Sequence, residues 1–595
     1  MNSSLEIRQT KDLLSHLTRR RRRQLVLILI LMIVGSLSEV VSIGLVIPFL
    51  GALTSPEVLF ESEFLSPVLQ QFEINAPEQL LLPFTAMFII AVVLAGTIRL
   101  ILLYSTIRFS HAIGHDLGVD MYRRTLYQSY SVHSSQNSSE IINGIILKAN
   151  TVTGGVIRSI LNILTSIFLI IGIVFALLFV DIYTSLSALL GFGILYLSVI
   201  KLTHNKLRHN SVAIADYSTQ QIKSLQEGLG GIRDVLIDGT QDFFSKTYKK
   251  SDKSLRKALA NNTFIAGSPR FIMEAIGMTL IALLAYSLKM GSASFELVIP
   301  TLGALALGAQ RLLPSMQLLY DSYSNLKGSQ GSLTDVLKIL KQKLPGFANN
   351  PKQEQMPFEN EIELKNLSFQ YSIDAPLVFK NINLKIAKGS RVGFIGETGC
   401  GKSTLLDIIM GLLYSTDGEI LIDDNLIDET NRRSWQSNIA HVPQHVYLSD
   451  SSIIDNIAFG IPKEEIDYEK IKLAAQKAQI SEIIEGLKDG YQTFVGEQGI
   501  QLSGGQRQRI GIARALYRNA NVLIFDEATS ALDNLTEKAV MDSIDSLEQD
   551  LTVLIIAHRL STLKQCDYVV DIKSNSKLVI KTPTEVIKGE KNDIF

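Results

Sequence analysis

Apolar residues are unevenly distributed along this 595-residue chain. Up to about residue 325 they gather in long runs; beyond it they fall into short, strand-length runs separated by glycines and charges. The long runs lie at 25–50, 80–104, 157–180, 184–203, 264–289 and 295–325. A helix that crosses a bilayer needs ~20 such residues, so each run predicts a span. Residues 1–340 therefore read as a six-helix, all-α transmembrane domain. From Gly346 to Gln355 the chain is polar and aperiodic, which places an interdomain linker at 341–358. Period-two alternation begins at Ile362-Glu-Leu-Lys, and residues 359–595 read as a soluble α/β domain.

Charge adds a topology to this pattern. Five consecutive arginines, Arg19 to Arg23, precede the first run. No Lys or Arg follows from Gln24 to Ile98, although the 51–78 loop holds Glu57, Glu61, Glu63, Glu73 and Glu78. None occurs from Ser159 to Ile200 either, whereas 105–156 and 204–262 are rich in both. Basic loops stay on the cytoplasmic side, so the pattern predicts a multi-pass protein of the cytoplasmic membrane with both termini inside. The net charge of −1 gives no reason to expect a nucleic-acid partner. Two cysteines, Cys400 and Cys566, provide no disulfide framework.

A few charges lie inside the spans. Arg270 and Glu274 are four residues apart in the fifth run, hence on one helix face, and Arg311 is in the sixth. Ionisable groups there should face one another or a cavity. Two readings stand side by side: Glu274 and Arg311 form an ion pair holding spans five and six together, or Arg311, with Arg270 or Arg99, receives an anionic headgroup.

The densest chemistry lies in Gly396-Glu-Thr-Gly-Cys-Gly-Lys-Ser403, with Thr404 behind it. An apolar strand-like run, Arg391-Val-Gly-Phe-Ile395, precedes it, and a helix-like run, Leu405-Leu-Asp-Ile-Ile-Met410, follows. This is the strand–loop–helix setting of a phosphate-binding loop. Gly396, Gly399 and Gly401 let the backbone amides of Glu397, Thr398, Cys400 and their neighbours converge on phosphate oxygens. Lys402 would carry charge to the β- and γ-phosphates of ATP, and Ser403 would hold Mg²⁺.

Downstream, Leu502-Ser-Gly-Gly-Gln506 precedes the strand Val522-Leu-Ile-Phe-Asp526-Glu527, and His558 closes the strand Val553-Leu-Ile-Ile-Ala557. In this order the motifs resemble the nucleotide-binding domain of ATP-binding cassette (ABC) transporters, from roughly Glu359 to the C-terminus. The resemblance implies roles. Tyr371 would stack on adenine, the alternative being a half-buried strand aromatic. Gln444 would reach Mg²⁺ and the attacking water, Asp526 would bind Mg²⁺, Glu527 would position or deprotonate the water, and His558 would contact the γ-phosphate. Ser503, Gly504, Gly505 and Gln506 would close over the partner subunit's nucleotide, so a homodimer with two equivalent sites is expected. Ser530-Ala-Leu-Asp533 fits the segment that communicates between those sites.

The membrane half resembles an ABC exporter, with its coupling elements at Ser134–Asn143 and Gln226–Asp234. A narrower likeness is carried by Glu39-Val-Val-Ser-Ile-Gly-Leu-Val-Ile-Pro-Phe49, by Gln226–Val235 and by Ser268–Gly277. These stretches look like lipid-linked oligosaccharide flippases and related polysaccharide exporters. The function implied is ATP-driven export or flipping of a lipid-linked or amphipathic substrate. A multidrug or peptide exporter is the alternative, followed by an ATP-gated channel or regulator.

Overall fold

The computed structural model describes residues 2–54, 56–61, 76–178, 182–290, 295–349, 354–372, 374–527, 533–545, 550–557, 560–573 and 577–592. The chain divides into two compact units. One comprises 1–126 and 136–343, the other 127–135 and 344–595.

The first unit is helical. After α1 (Asn2–Ser15) come α2 (Arg19–Gly44) and α3 (Val46–Thr54), then α4 (Leu81–Leu126) and α5 (Arg158–Leu178). The unit continues through α6 (Ile182–Gly230), α7 (Gln241–Met290), α8 (Phe295–Gly328) and α9 (Gln330–Leu340). Among the described residues, three helical stretches are long and apolar enough to cross a membrane: 19–54, 77–126 and 138–178. The last three predicted spans fall in α6, α7 and α8, where many of the apolar side chains lie outside the described residues. Helices α4, α6 and α7 run well past ~20 residues. The basic segments 105–126, 204–230 and 241–262 are thus continuations of these helices rather than separate loops.

Stripes at helical spacing make the packing. Leu102, Phe109, Ile113, Leu117 and Met121 of α4 meet Ile28 and Met32 of α2, with Val336, Leu337 and Leu340 of α9 in the same core. A second core joins Ile43, Ile173, Leu312 and Tyr320. The two stretches read as coupling elements touch each other. Ser139 hydrogen-bonds the side chain of Gln226, and Asn143 donates to Ser218 and Thr219 at 3.1 and 2.8 Å. Helix α6 breaks at Gly231, and a short helix, Ile232–Ile237, follows. The division at residue 135 cuts the first coupling stretch, because the short helix Tyr130–Ser135 groups with the second unit.

The expected Glu274–Arg311 pair is not formed. Glu274 accepts from Arg270 on its own helix at 2.7 Å, and both side chains are exposed. Arg311 turns instead to Glu39 of α2, 3.7 Å away, and Arg99 of α4 donates to the same carboxylate at 2.8 Å. The Glu39 side chain is 3% exposed. Helix rotation explains the correction: an (i, i+4) partner is always within reach, whereas a partner across helices depends on which faces meet.

The second unit holds two sheets. Strands β1 (Glu361–Phe369), β2 (Phe379–Ala387), β4 (Asp417–Ile422) and β5 (Asn425–Leu426) form an antiparallel sheet in the order β2-β1-β4-β5. The larger sheet is ordered β10-β9-β3-β8-β7-β6. It is built from β3 (Arg391–Gly396), β6 (Ile439–Val442), β7 (Val522–Asp526), β8 (Thr552–Ile556), β9 (Tyr568–Ile572) and β10 (Leu578–Lys581). All its pairings are parallel except β9 with β10.

Alternation assigns each face of this sheet. Val522, Ile524, Leu554 and Ile556 pack with Leu405 and Ile409 of α10 (Lys402–Ile409) and with the antiparallel sheet. Leu523, Phe525, Val553 and Ile555 pack on the opposite face with Ile510 and Ile512 of α11 (Gly504–Tyr517). A sheet covered on both faces explains why these strands read as continuous apolar runs. Trp435, fully buried, donates its indole N–H to the Ile409 carbonyl at 2.8 Å and so satisfies an end carbonyl of α10.

Removing the Glu39 carboxylate leaves two arginines facing each other. Glu39→Gln is expected to cost about 1–3 kcal/mol, the range for a buried charged group left unsatisfied, because both arginines keep some access outward. A lower thermal unfolding temperature of the full-length variant in detergent checks this, and an unchanged one refutes it.

Candidate ATP site

Strands β3, β8, β7 and β6 run parallel and side by side, so their carboxyl ends share one edge. The phosphate-loop sequence follows β3, Asp526 and Glu527 end β7, and Gln444 lies two residues beyond β6. Ligands of open α/β sheets bind outside the carboxyl ends of the strands. His558, after β8, and Ser530 to Leu532 lie outside the described residues. Asp533 is described; it accepts from the backbone of Leu535 and Thr536 at 3.1 and 3.0 Å and starts the next helix.

Two glycines of the loop are dictated by sterics. Gly401 has φ +101°, and a Cβ there would stand 2.6 Å from Cζ of Phe379. Gly396 has φ +148°, and a Cβ would run into the carbonyl of Ile572. The loop then enters α10 at Lys402 and presents that helix's first amides and the positive end of its dipole. Lys402 folds back and donates to the Gly396 and Glu397 carbonyls at 2.8 and 3.0 Å. A phosphate would compete for this ammonium with a full negative charge.

The polar side chains converge in pairs. Ser403 Oγ is 3.5 Å from Asp526 Oδ1, and Gln444 Nε2 donates to Glu527 Oε2 at 2.6 Å. Glu527 has φ +50° in the left-handed region, a costly conformation for a residue with a Cβ. Backbone strain at a residue flanking a polar cluster is the kind found where side-chain aim matters. Tyr371, largely exposed, stands edge-on to Phe369 with ring centroids 5.0 Å apart. Its hydroxyl is 2.8 Å from Thr404 Oγ1, beside the loop. Cys400 is half-buried and packs against the core beneath the loop.

Leu502-Ser-Gly-Gly-Gln506 forms the start of α11. Ser503 Oγ accepts from the Gln506 amide at 3.3 Å, and the Ser503 amide donates to Gln506 Oε1 at 2.8 Å, a reciprocal cap. The cap ties up both side chains and leaves the amides of Gly504 and Gly505 at the exposed helix start. Gly504, Gln444 and Gln508 line one recess of about 580 Å³.

Asp407 escaped the sequence reading. It lies one turn beyond Ser403 on α10, an (i, i+4) spacing that could have flagged it. Burial, and then the charge of Asp526, push its carboxyl up to about 6. Crowded carboxylates here leave negative charge that a cation would relieve. His441, half-buried within β6, has its pKa pushed down to about 4 by desolvation, and its buried Nε2 has no hydrogen-bond partner among the described residues.

A neutral native His441 gives a signed pH effect. Its folded pKa lies below the unfolded value of about 6.5, so the stability it contributes is complete above that pH and is lost as pH falls towards 4. Nucleotide-free wild type should lose thermal stability between pH ~6.5 and ~4.5, and His441→Gln should lose less. Parallel melting curves of the two proteins would remove His441 from the explanation.

Family models match both units. The ABC transporter transmembrane region matches residues 25–307, and the ABC transporter model matches residues 379–530. Heterocyst differentiation ATP-binding protein HepA of Nostoc sp. (strain PCC 7120 / SAG 25.82 / UTEX 2576) is 33% identical over 442 residues, covering 74% of this chain and 71% of that protein. The ATP-dependent lipid A-core flippase of Shewanella denitrificans (strain OS217 / ATCC BAA-1090 / DSM 15013) is 29% identical over 544 residues, 91% of this chain and 89% of that protein. A solved structure of a bacterial Atm1-family ABC exporter with ATP bound superposes with a TM-score of 0.76 over 96% of both chains, at 20% identity, a likeness of fold. A helical membrane unit followed by a phosphate-loop ATPase unit, matched by both family models and by a relative across most of its length, makes this chain a member of the ABC transporter family, whose ATP hydrolysis is coupled to transport.

Proposed function

We propose that the protein is an ATP-driven translocase that flips or exports an anionic, lipid-linked or amphipathic substrate across the cytoplasmic membrane. It would work as a homodimer with both termini in the cytoplasm. The observation that carries the ATPase half of this reading is the paired geometry Ser403–Asp526 and Gln444–Glu527 on one sheet edge. Oxygen donors on two elements suit a hard divalent cation, so Ser403 and Asp526 would hold Mg²⁺, with Gln444 beside it. Bound Mg²⁺ would neutralise phosphate charge. The chain's own residues do the rest. Lys402 leaves its carbonyls for the phosphates, the loop amides and Thr404 cradle them, and Tyr371 offers a face to adenine. Glu527, aimed by its strained backbone and by Gln444, takes or orients the proton of the attacking water. His558 would complete the γ-phosphate contacts. Ser503, Gly504, Gly505 and Gln506 would serve the partner subunit's nucleotide, which makes the dimer the functional unit.

For the substrate, two observations agree. Relatives are named ATP-dependent lipid A-core flippases. Within the membrane unit, one carboxylate, Glu39, faces two arginines, Arg99 and Arg311, on three different spans. That cluster keeps a surplus positive charge where apolar surroundings penalise it, and an anionic headgroup would neutralise it. The contact of Ser139 with Gln226 would tie together the two stretches that couple ATPase closure to the spans.

Two variants test the two halves separately. Glu527→Gln should bind ATP but lose at least about 10²-fold in hydrolysis, in line with removal of a general base; near-normal turnover of the purified protein would rule out Glu527. Arg311→Gln should keep basal hydrolysis while losing stimulation by, and flipping of, a fluorescent lipid-linked diphosphate in proteoliposomes. Unimpaired flipping by Arg311→Gln, with Glu527→Gln still inactive, would sink the substrate assignment alone.

A further inference from the structure

Helix α2 opens with Arg19 to Arg23, and cations at a helix N-terminus work against its dipole. The helix gains nothing from this arrangement. Arg22 donates to the Ser15 carbonyl at 3.0 Å, and Arg21 is tied to another long helix. Its guanidinium donates to both oxygens of Asp116 on α4, at 2.8 and 3.1 Å, and to Gln24 at 3.0 Å. This clamp fixes the end of α2 against α4 and leaves a recess of about 670 Å³ between them.

The recess is basic at one end and apolar at the other. Arg108, His111 and His115 lie on one face of α4 at three- and four-residue spacing and line it with Arg21 and Gln24. No carboxylate is among its lining residues. Asp116, the neighbouring acid, is committed to Arg21. Arg108 and His111 are exposed and have no hydrogen bond or ion pair among the described residues. Towards the span, Leu27, 65% exposed, lines the other end, and exposed Ile30 and Val34 continue its strip along α2. The recess lies just before the first apolar run and just after the second, which is the level of the membrane–water boundary.

We propose that this recess binds the headgroup of an anionic phospholipid of the bilayer. Its phosphate would sit on Arg108 and the two histidines, and its acyl chain would run along the Leu27–Ile30–Val34 strip. A soluble phosphate would have no use for that strip, and a neutral headgroup none for Arg108, which has no ion pair among the described residues. The site is separate from the Glu39 cluster and does not depend on which substrate the protein moves. It rests on the proposed topology only in placing the lipid in the cytoplasmic leaflet.

Native mass spectrometry of the full-length protein tests it, with phosphatidylglycerol or phosphatidylcholine of identical chains as probes. Wild type should retain phosphatidylglycerol over phosphatidylcholine, with Arg108 contributing on the order of fivefold. Arg108→Gln with His111→Gln and His115→Gln should abolish the preference, while basal ATP hydrolysis in phosphatidylcholine nanodiscs stays at the wild-type rate. Excess inorganic phosphate should leave the bound lipid in place. The proposal is overturned by wild type without a preference, by a triple variant that keeps it, or by displacement with inorganic phosphate, which would mark a free-anion site. Because wild type alone can fail the first comparison, a poorly folding variant does not shield the idea.

Discussion

Parallel pairing of β3, β8, β7 and β6 is the constraint on which the ATPase chemistry depends. Residues separated by more than a hundred positions reach one edge because each ends, or closely follows, a strand of that sheet. The pairing Asp526↔Ile556 and Phe394↔Ile556 sets the register in which the phosphate loop and the two carboxylates stand. A one-residue slip would exchange the faces of an entire strand and bury the wrong set. The cores on the two faces therefore fix the geometry of the candidate site as firmly as any contact within it. Trp435 reinforces this by tying the far end of α10, and with it the loop at the near end.

Within that frame the site is arranged for an arriving ligand. Lys402 is occupied by two loop carbonyls, and Tyr371 rests its hydroxyl on Thr404. The carbonyls and the hydroxyl are neutral partners, and a phosphate oxygen with a full negative charge would compete with them. Asp407 and Asp526 hold carboxylates close enough for one to raise the other's pKa. A bound cation would relieve that repulsion. The left-handed backbone of Glu527 belongs to the same economy of local strain, held in place by the sheet.

How much of this could be read from the chain follows from what each feature depends on. The phosphate loop was legible because its glycines answer to local backbone geometry, which sequence states directly. Strand faces were legible from period two, and the three described helical stretches of membrane-crossing length from run length. The partner of Arg311 was not. Pairing it with Glu274 was one of two readings and rested only on both charges lying inside apolar runs, whereas the structure turns Arg311 towards Glu39 on another helix. Which faces of two helices meet is decided by ridge-and-groove packing of many apolar side chains, and no short motif encodes it. Asp407 was missed for a related reason, since its neighbour Asp526 is remote in sequence. The grouping of Tyr127–Ser135 with the ATPase unit also arises from tertiary contacts, which the helical pattern leaves undetermined.

The Glu39 cluster illustrates why stability alone does not explain buried charge. Replacing a buried ion pair with apolar side chains is often neutral or stabilising, so such a pair is weak grounds for a purely structural role. A structural pair would also be expected to balance, one cation to one anion. Here two arginines share one carboxylate, and Glu39 Oε2 lacks a hydrogen bond among the described residues although Arg311 is 3.7 Å away. The second arginine is near the acid without being held by it. A guanidinium left slack beside a satisfied neighbour can turn to another anion at little cost, and three spans would register that turn together. That combination of surplus charge, slack and shared contact fits a group that meets substrate better than one that merely joins helices.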